Sequence, residues 1–292
     1  MNGVTLPFVA AIPLKPRRMS GSWEAVQANL RRTLRSLRAA AGDLPVSIVI
    51  AGHDEPEVAG DAVDLHFVQA PFPEPESAAE GGRDKARKRR LIGAWLRATL
   101  APPGAYVMFL DADDLVHRSL VAHVLQGGHD SYLVESGYVF DARARVLIRR
   151  PLAFSATCGS SFVCRFEPSD LPVGWDDREA PYSLFGSSTE EGGRGHTEYD
   201  QIATELGRPP ATIDFPAVVY TVNHPDSLWS ARFDRLRGDP DARGIVLPRA
   251  ARRVLSEEFA APDLAAELAG YPSLPKLILR STHVRARARL RR

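Results

Sequence analysis

Two rhythms of apolar residues alternate along the first 115 positions. Apolar-rich runs at residues 8–12, 46–51, 65–68 and 106–110, interrupted only by Ser47 and His66, have the length and content of buried strands. Between them, apolar residues recur at helical spacing. Over residues 22–41, Val26, Leu30, Thr33, Leu34 and Leu37 repeat between arginines, with Ser22 fit to cap the start and Gly42 to stop the end. Over residues 84–99, Leu91, Trp95 and Leu96 form a narrower stripe beside Lys85, Arg87, Lys88, Arg89 and Arg90. Proline and glycine fall where breaks are needed: Pro13 and Pro16 after the first run, Pro71, Pro73 and Pro75 after the third, Pro102-Pro103-Gly104 after the second helix. A third helix is expected at residues 116–126.

Strands separated by helices of this length pair in parallel through right-handed crossovers. The pattern therefore predicts an α/β fold with a mixed, mostly parallel sheet flanked by helices. Ligands of such sheets bind beyond the C-terminal strand ends, which gathers the loops at residues 13–17, 52–56 and 111–114 on one rim. The second half is less regular. Strands are expected at 132–139, 146–148 and 154–166, and a helix from His196 to Leu206. Gly159-Ser160-Ser161 reads either as a place where backbone approaches a ligand closely or as a strand bulge. Residues 174–197 read as a loop, either a lid or an insertion.

With 292 residues, 44% hydrophobic and 25% charged, the chain can bury a substantial core. No apolar run approaches the roughly 20 residues of a membrane span, and the residues after Met1 lack the basic start of a secretory signal, so the expectation is a soluble cytoplasmic protein. Cys158 and Cys164 lie too far apart to bond within one straight strand and read as buried free thiols. The net charge of +1 hides an asymmetry: residues 276–292 hold seven basic residues and no acidic one. Such a tail suits peripheral contact with an anionic inner membrane face, or a solvated helix. Nucleic acid is not expected, because no aromatic residue is interleaved with the arginines.

The run at 106–110 ends in Asp111, Asp113 and Asp114. A buried strand that delivers carboxylates to its exposed end is a place to hold a divalent ion and, through it, a diphosphate; the alternative is a cap for the next helix. Neither Gly-x-Gly-x-x-Gly nor Gly-x-x-x-x-Gly-Lys-Ser/Thr occurs, so phosphate charge falls to metal and cationic side chains.

Taken together, Ala86-Arg87-Lys88 on its helix and Gly104-Ala-Tyr-Val-Met-Phe-Leu-Asp-Ala-Asp-Asp114 resemble the nucleotide-diphospho-sugar glycosyltransferases of the GT-A fold, in particular the family-2-like branch. Lys88 stands where that family has Asn. His196-Thr-Glu-Tyr-Asp200 resembles the family's Glu-Asp-Tyr-Asp helix start, and Tyr220-Thr-Val-Asn-His-Pro-Asp-Ser-Leu-Trp229 resembles its Asn-His-x-x-Ser segment.

The resemblance implies a GT-A (Rossmann-like) domain over residues 1–233, with a nucleotide-binding half at 1–115 and an acceptor and catalytic half at 116–233. Residues 234–292 would be a helical extension with a basic tail. It implies Mn2+ or Mg2+ held by Asp111, Asp113 and His224, and a nucleoside-diphosphate sugar contacted by Pro13, Lys15, Asp54, Lys85, Arg89, Asp111 and Ala112. Glu198 would be the catalytic base, with Asp200 as the second choice. The implied reaction is sugar transfer to a glycan, a lipid-linked or a small-molecule acceptor, with inversion. The competing readings are a nucleotidyltransferase of the same fold, which would be expected to carry a glycine-rich loop after the first strand, and a non-catalytic sugar-nucleotide-binding or membrane-associated scaffold.

Overall fold

A computed structural model describes residues 6–58, 64–186, 194–224, 226 and 244–268. The expected alternation is present. Strand β1 (Phe8–Pro13) is followed by helix α1 (Trp23–Ala41), then β2 (Val46–Gly52), β3 (Leu65–Gln69), α2 (Gly81–Thr99) and β4 (Ala105–Phe109). These strands pair in parallel: β1 lies between β2 and β4, and β2 carries β3 on its other side. The helix boundaries follow the capping chemistry read from the sequence. Ser22 accepts a hydrogen bond from the Ala25 N–H, and Gly42 ends α1 with φ +52°, a conformation glycine adopts without steric cost.

The second half supplies β5 (Leu115–Val116), α3 (Leu120–Gly127), β6 (Ser131–Val134), β7 (Gly137–Asp141), β8 (Val146–Arg150), β9 (Phe162–Phe166), α4 (Tyr199–Glu205), β10 (Ala211–Ile213) and β11 (Val218–Val222). Two sheets result. The larger has seven strands in the order β10-β6-β9-β4-β1-β2-β3, mostly parallel, with β9 antiparallel to both its neighbours. The smaller has four, β5-β11-β7-β8.

Alternate residues of β1 explain why both faces of the large sheet are covered. Phe8, Ala10 and Ile12 pack against Val26, Leu30, Leu34 and Leu37 of α1, while Val9 and Ala11 share a core with Ile92 and Leu96 of α2. Each of these large aliphatic side chains contributes about 2 kcal/mol through burial. The first of these cores extends through α3 to Val139, Val218 and Val222 on the inner face of the small sheet. Its outer face is covered by Pro248–Arg253, the π-helical turn Val254–Glu258 and Pro262–Glu267, through Leu255, Phe259 and Leu264. The helical part of the C-terminal extension is thus packed on the four-stranded sheet, and Asp263 and Glu267 also pair with Arg32 of α1. The basic residues 276–292 lie outside the described residues. No helix among the described residues is long and apolar enough to cross a membrane.

Three expectations need correction. The helix anticipated at 116–126 starts at Leu120, because Leu115 and Val116 instead pair with β11. The strand anticipated at 154–166 begins only at Phe162; before it, Thr157 and Cys158 both donate to the Phe154 carbonyl and close a turn. The strand anticipated at 132–139 is instead two, β6 ending at Val134 and β7 starting at Gly137; on α2, Lys88, Arg89 and Arg90 are all buried.

Candidate active site

The C-terminal ends of β1, β2 and β4 form the expected rim, and α2 organises it from below. Lys88, fully buried, donates to the Leu14 carbonyl at 2.8 Å and to Asp84 Oδ2 at 2.6 Å, and Asp84 Oδ1 meets His53 Nε2 at 2.8 Å. Burial lowers the Lys88 pKa, while Asp84 works against that shift. Lys88 therefore ties the loops after β1 and β2 to the helix and does not face a ligand. Asp54 is spent in the same way, accepting the Arg17 N–H at 2.8 Å.

Lys15 reaches Asp226 Oδ1 at 3.0 Å, and Asp226 also accepts the Gly21 N–H, so the first loop is fastened to the segment that follows β11. Pro13 is the buried last residue of β1, in register with Ala51. The Ala112 carbonyl accepts from Thr33 Oγ1 of α1.

Five of the expected side chains form two groups beyond β4, Lys85 and Arg89 around Asp111 and His224 on Asp113. Lys85 Nζ lies 2.6 Å from Asp111 Oδ1 and 2.8 Å from Oδ2, hydrogen-bonding the latter. Arg89 Nη2 lies 3.8 Å from the same Oδ1. Burial alone would push the Asp111 carboxyl up, but Lys85 and Arg89 outweigh it and hold the group below its ordinary range. Arg89 is 2% exposed; its guanidinium stacks 5.0 Å above Phe109, and Nη1 donates to the Tyr199 hydroxyl at 2.9 Å. Its Nε and Nη2 make no hydrogen bond. Asp113 Oδ2 meets His224 Nε2 at 2.7 Å.

Asp114 is not a helix cap. It is fully buried and accepts from the Thr221 N–H, the Ser160 hydroxyl at 2.6 Å and the Cys158 thiol. Ser160 Oγ in turn receives the Asp111 N–H at 2.9 Å, which fixes the backbone that presents the front carboxylates. Burial, then Asp113 and Asp111, push the Asp114 pKa well above its usual value.

Gly159 borders the Asp111 cluster. A Cβ added at Gly159 would stand 3.9 Å from Arg89 Nη2, 3.9 Å from His196 Cδ2 and 4.0 Å from Asp111 Oδ2. His196, which sequence reasoning treated only as the start of a helix, therefore lines the same space. Ser155 supplies its partner from a turn far away in the chain, and only the choice of an ionisable residue at the helix start hinted at it.

Glu198 and Asp200 sit differently. Glu198 Oε2 accepts from Arg194 Nε at 2.8 Å with its side chain 42% exposed, and Asp200 is exposed on α4. Of the loop at 174–197, residues 187–193 lie outside the described residues, as do Pro225 and residues 227–229 of the last motif.

Asp111 Oδ1 makes no hydrogen bond but is paired with the Lys85 ammonium at 2.6 Å, and Asp113 and His224 hydrogen-bond each other. Two carboxylates and an imidazole are acceptable to manganese. Among the described residues no group of three or more His, Cys, Asp or Glu side chains is placed to hold a metal ion, so Asp111 and the Asp113–His224 pair do not form a ready ligand set. In a search of protein-family models and of curated proteins, none matches this chain.

Proposed function

We propose that this chain is a GT-A-type glycosyltransferase that moves a sugar from a nucleoside diphosphate to a hydroxyl acceptor, whether glycan, lipid-linked or small molecule. The observation that carries the reading is the Asp111 carboxylate held by Lys85 and Arg89 at the C-terminal end of a central parallel strand, with the Asp113–His224 pair in the same loop region. An arrangement of carboxylates backed by fixed cations suits a ligand that brings both a divalent ion and phosphate charge.

The division of labour follows from the geometry. Asp111, Asp113 and His224 would hold the ion, which when bound supplies Lewis-acid stabilisation of the departing diphosphate. Lys85 and Arg89 lie on one face of α2 and offer charge-assisted donors to phosphate oxygens; Arg89 Nε and Nη2 make no hydrogen bond, Nη2 being ion-paired with Asp111 at 3.8 Å. Its buried position over Phe109 fixes these donors before a ligand arrives.

Thermal-shift titration of the full chain with uridine, guanosine and cytidine diphospho-sugars, with and without Mn2+, tests the reading. A metal-dependent rise in melting temperature with one base is expected. No stabilisation by any nucleotide under either condition would rule out the donor site.

A further inference from the structure

We propose that His196, and not Glu198, takes the proton of the acceptor hydroxyl; this rests on the transferase reading above. The imidazole is held from one side. Nδ1 lies 2.8 Å from the Ser155 carbonyl, and since a carbonyl only accepts, Nδ1 carries the hydrogen and the neutral ring keeps a lone pair on Nε2. Ser155 is itself fixed, because its hydroxyl donates to Glu135 Oε1 at 2.7 Å and the Ala153 N–H donates to Oε2 of the same carboxylate. Nε2 has no hydrogen bond within the described residues.

The Cδ2 edge of the ring borders the site. Cδ2, which neighbours Nε2, and Asp111 Oδ2 lie 3.9 and 4.0 Å from the point where a Gly159 Cβ would stand, and glycine leaves that point empty. The space lies beside the Asp111 carboxylate and Arg89 Nη2 and admits a small polar group. Burial, with Lys85 and Arg89 adding to it, lowers the imidazole pKa against the opposing pull of the Ser155 carbonyl and Asp111; the remaining neighbour is the Tyr199 ring. The ring is therefore neutral, and able to accept a proton, at pH 7. Glu198 is engaged by Arg194, which also pairs with Glu205.

In the transfer step the acceptor O–H gives its proton to Nε2 as the oxygen bonds to the anomeric carbon. The bond from that carbon to the phosphate oxygen breaks, its electron pair leaves with the nucleoside diphosphate, and the imidazolium later releases the proton to water.

The test measures nucleoside diphosphate release from the same three classes of diphospho-sugar, with water or free sugars as acceptor, for the full chain and for His196→Gln, His196→Asn and Glu198→Gln. A loss of at least about 100-fold in kcat is expected for both His196 variants, with the donor-induced thermal shift retained. Glu198→Gln should stay within about threefold of the parent, as a surface ion pair contributes little. The parent rate should also fall on acidification through the imidazole range, and the residual rate of the His196 variants should lack that limb. Wild-type turnover and an unaltered pH limb in the His196 variants would overturn the assignment while leaving the transferase reading intact. A parent that neither binds nor cleaves any of these donors would overturn both.

Discussion

Asp113 Oδ2 lies 2.7 Å from His224 Nε2, a contact across 111 positions of sequence that closes the loop after β4 onto the loop after β11. Each large sheet thereby contributes to one point: β4 belongs to the seven-stranded sheet and β11 to the four-stranded one. His224→Ala should abolish the Mn2+-dependent part of the nucleotide-induced thermal shift and leave the metal-free part unchanged. A variant that keeps the full metal-dependent shift would remove His224 from the site.

Gly159→Ala places a methyl group amid Arg89, His196 and Asp111 at ordinary van der Waals distances, so nothing must move to admit it. The urea midpoint should correspond to a change within about 0.5 kcal/mol. Transfer should nonetheless fall at least tenfold, about 1.4 kcal/mol in the barrier, because the methyl occupies the space read as substrate-accessible. Parent-like rates would show that no reacting group enters there.

Lys88→Met should destabilise the protein by about 3–5 kcal/mol, since it leaves the buried Asp84 carboxylate without its ammonium partner and the Leu14 carbonyl without its donor. Urea unfolding of the full chain measures the loss. A cost below about 1 kcal/mol would contradict the tying role given to this lysine.

Asp114 has a folded-state pKa raised above its unfolded value, chiefly by burial. The native state therefore holds a proton that the unfolded chain releases, so the associated stability is full below the unfolded pKa, about 4, and is lost as pH rises through the folded one. Asp114→Asn keeps an acceptor for the Thr221 N–H and removes the titration. Its stability relative to the parent should rise as pH increases above about 4; parallel urea midpoints from there into the neutral range would contradict the shift.

The parallel half of the fold was legible because its signals are local. The spacing of Val26, Leu30, Leu34 and Leu37, the Ser22 cap and the Gly42 stop all act within a few residues of where they are read. The rim followed from pairing rules alone. What stayed hidden depends on partners remote in sequence. Lys88 looks like part of a solvated basic face until Leu14 and Asp84 come to meet it, and Asp114 looks like a cap until Thr221 arrives from 107 positions away. The Phe154 to Ser161 stretch carries strand-like residues, but the turn closed on the Phe154 carbonyl wins over that propensity. His196 was missed for a similar reason, its orientation being set by Ser155.

The link from Asp111 N–H through Ser160 to Asp114, and from Asp114 to the Thr221 N–H, joins the end of β4, the approach to β9 and the middle of β11. It acts as an alignment pin between the two sheets. A slip of either sheet along the other would break buried hydrogen bonds before the surrounding apolar contacts registered a mismatch, and it would do so directly behind Asp111. Relative motion of the sheets and the placement of that carboxylate are consequently one mechanical variable.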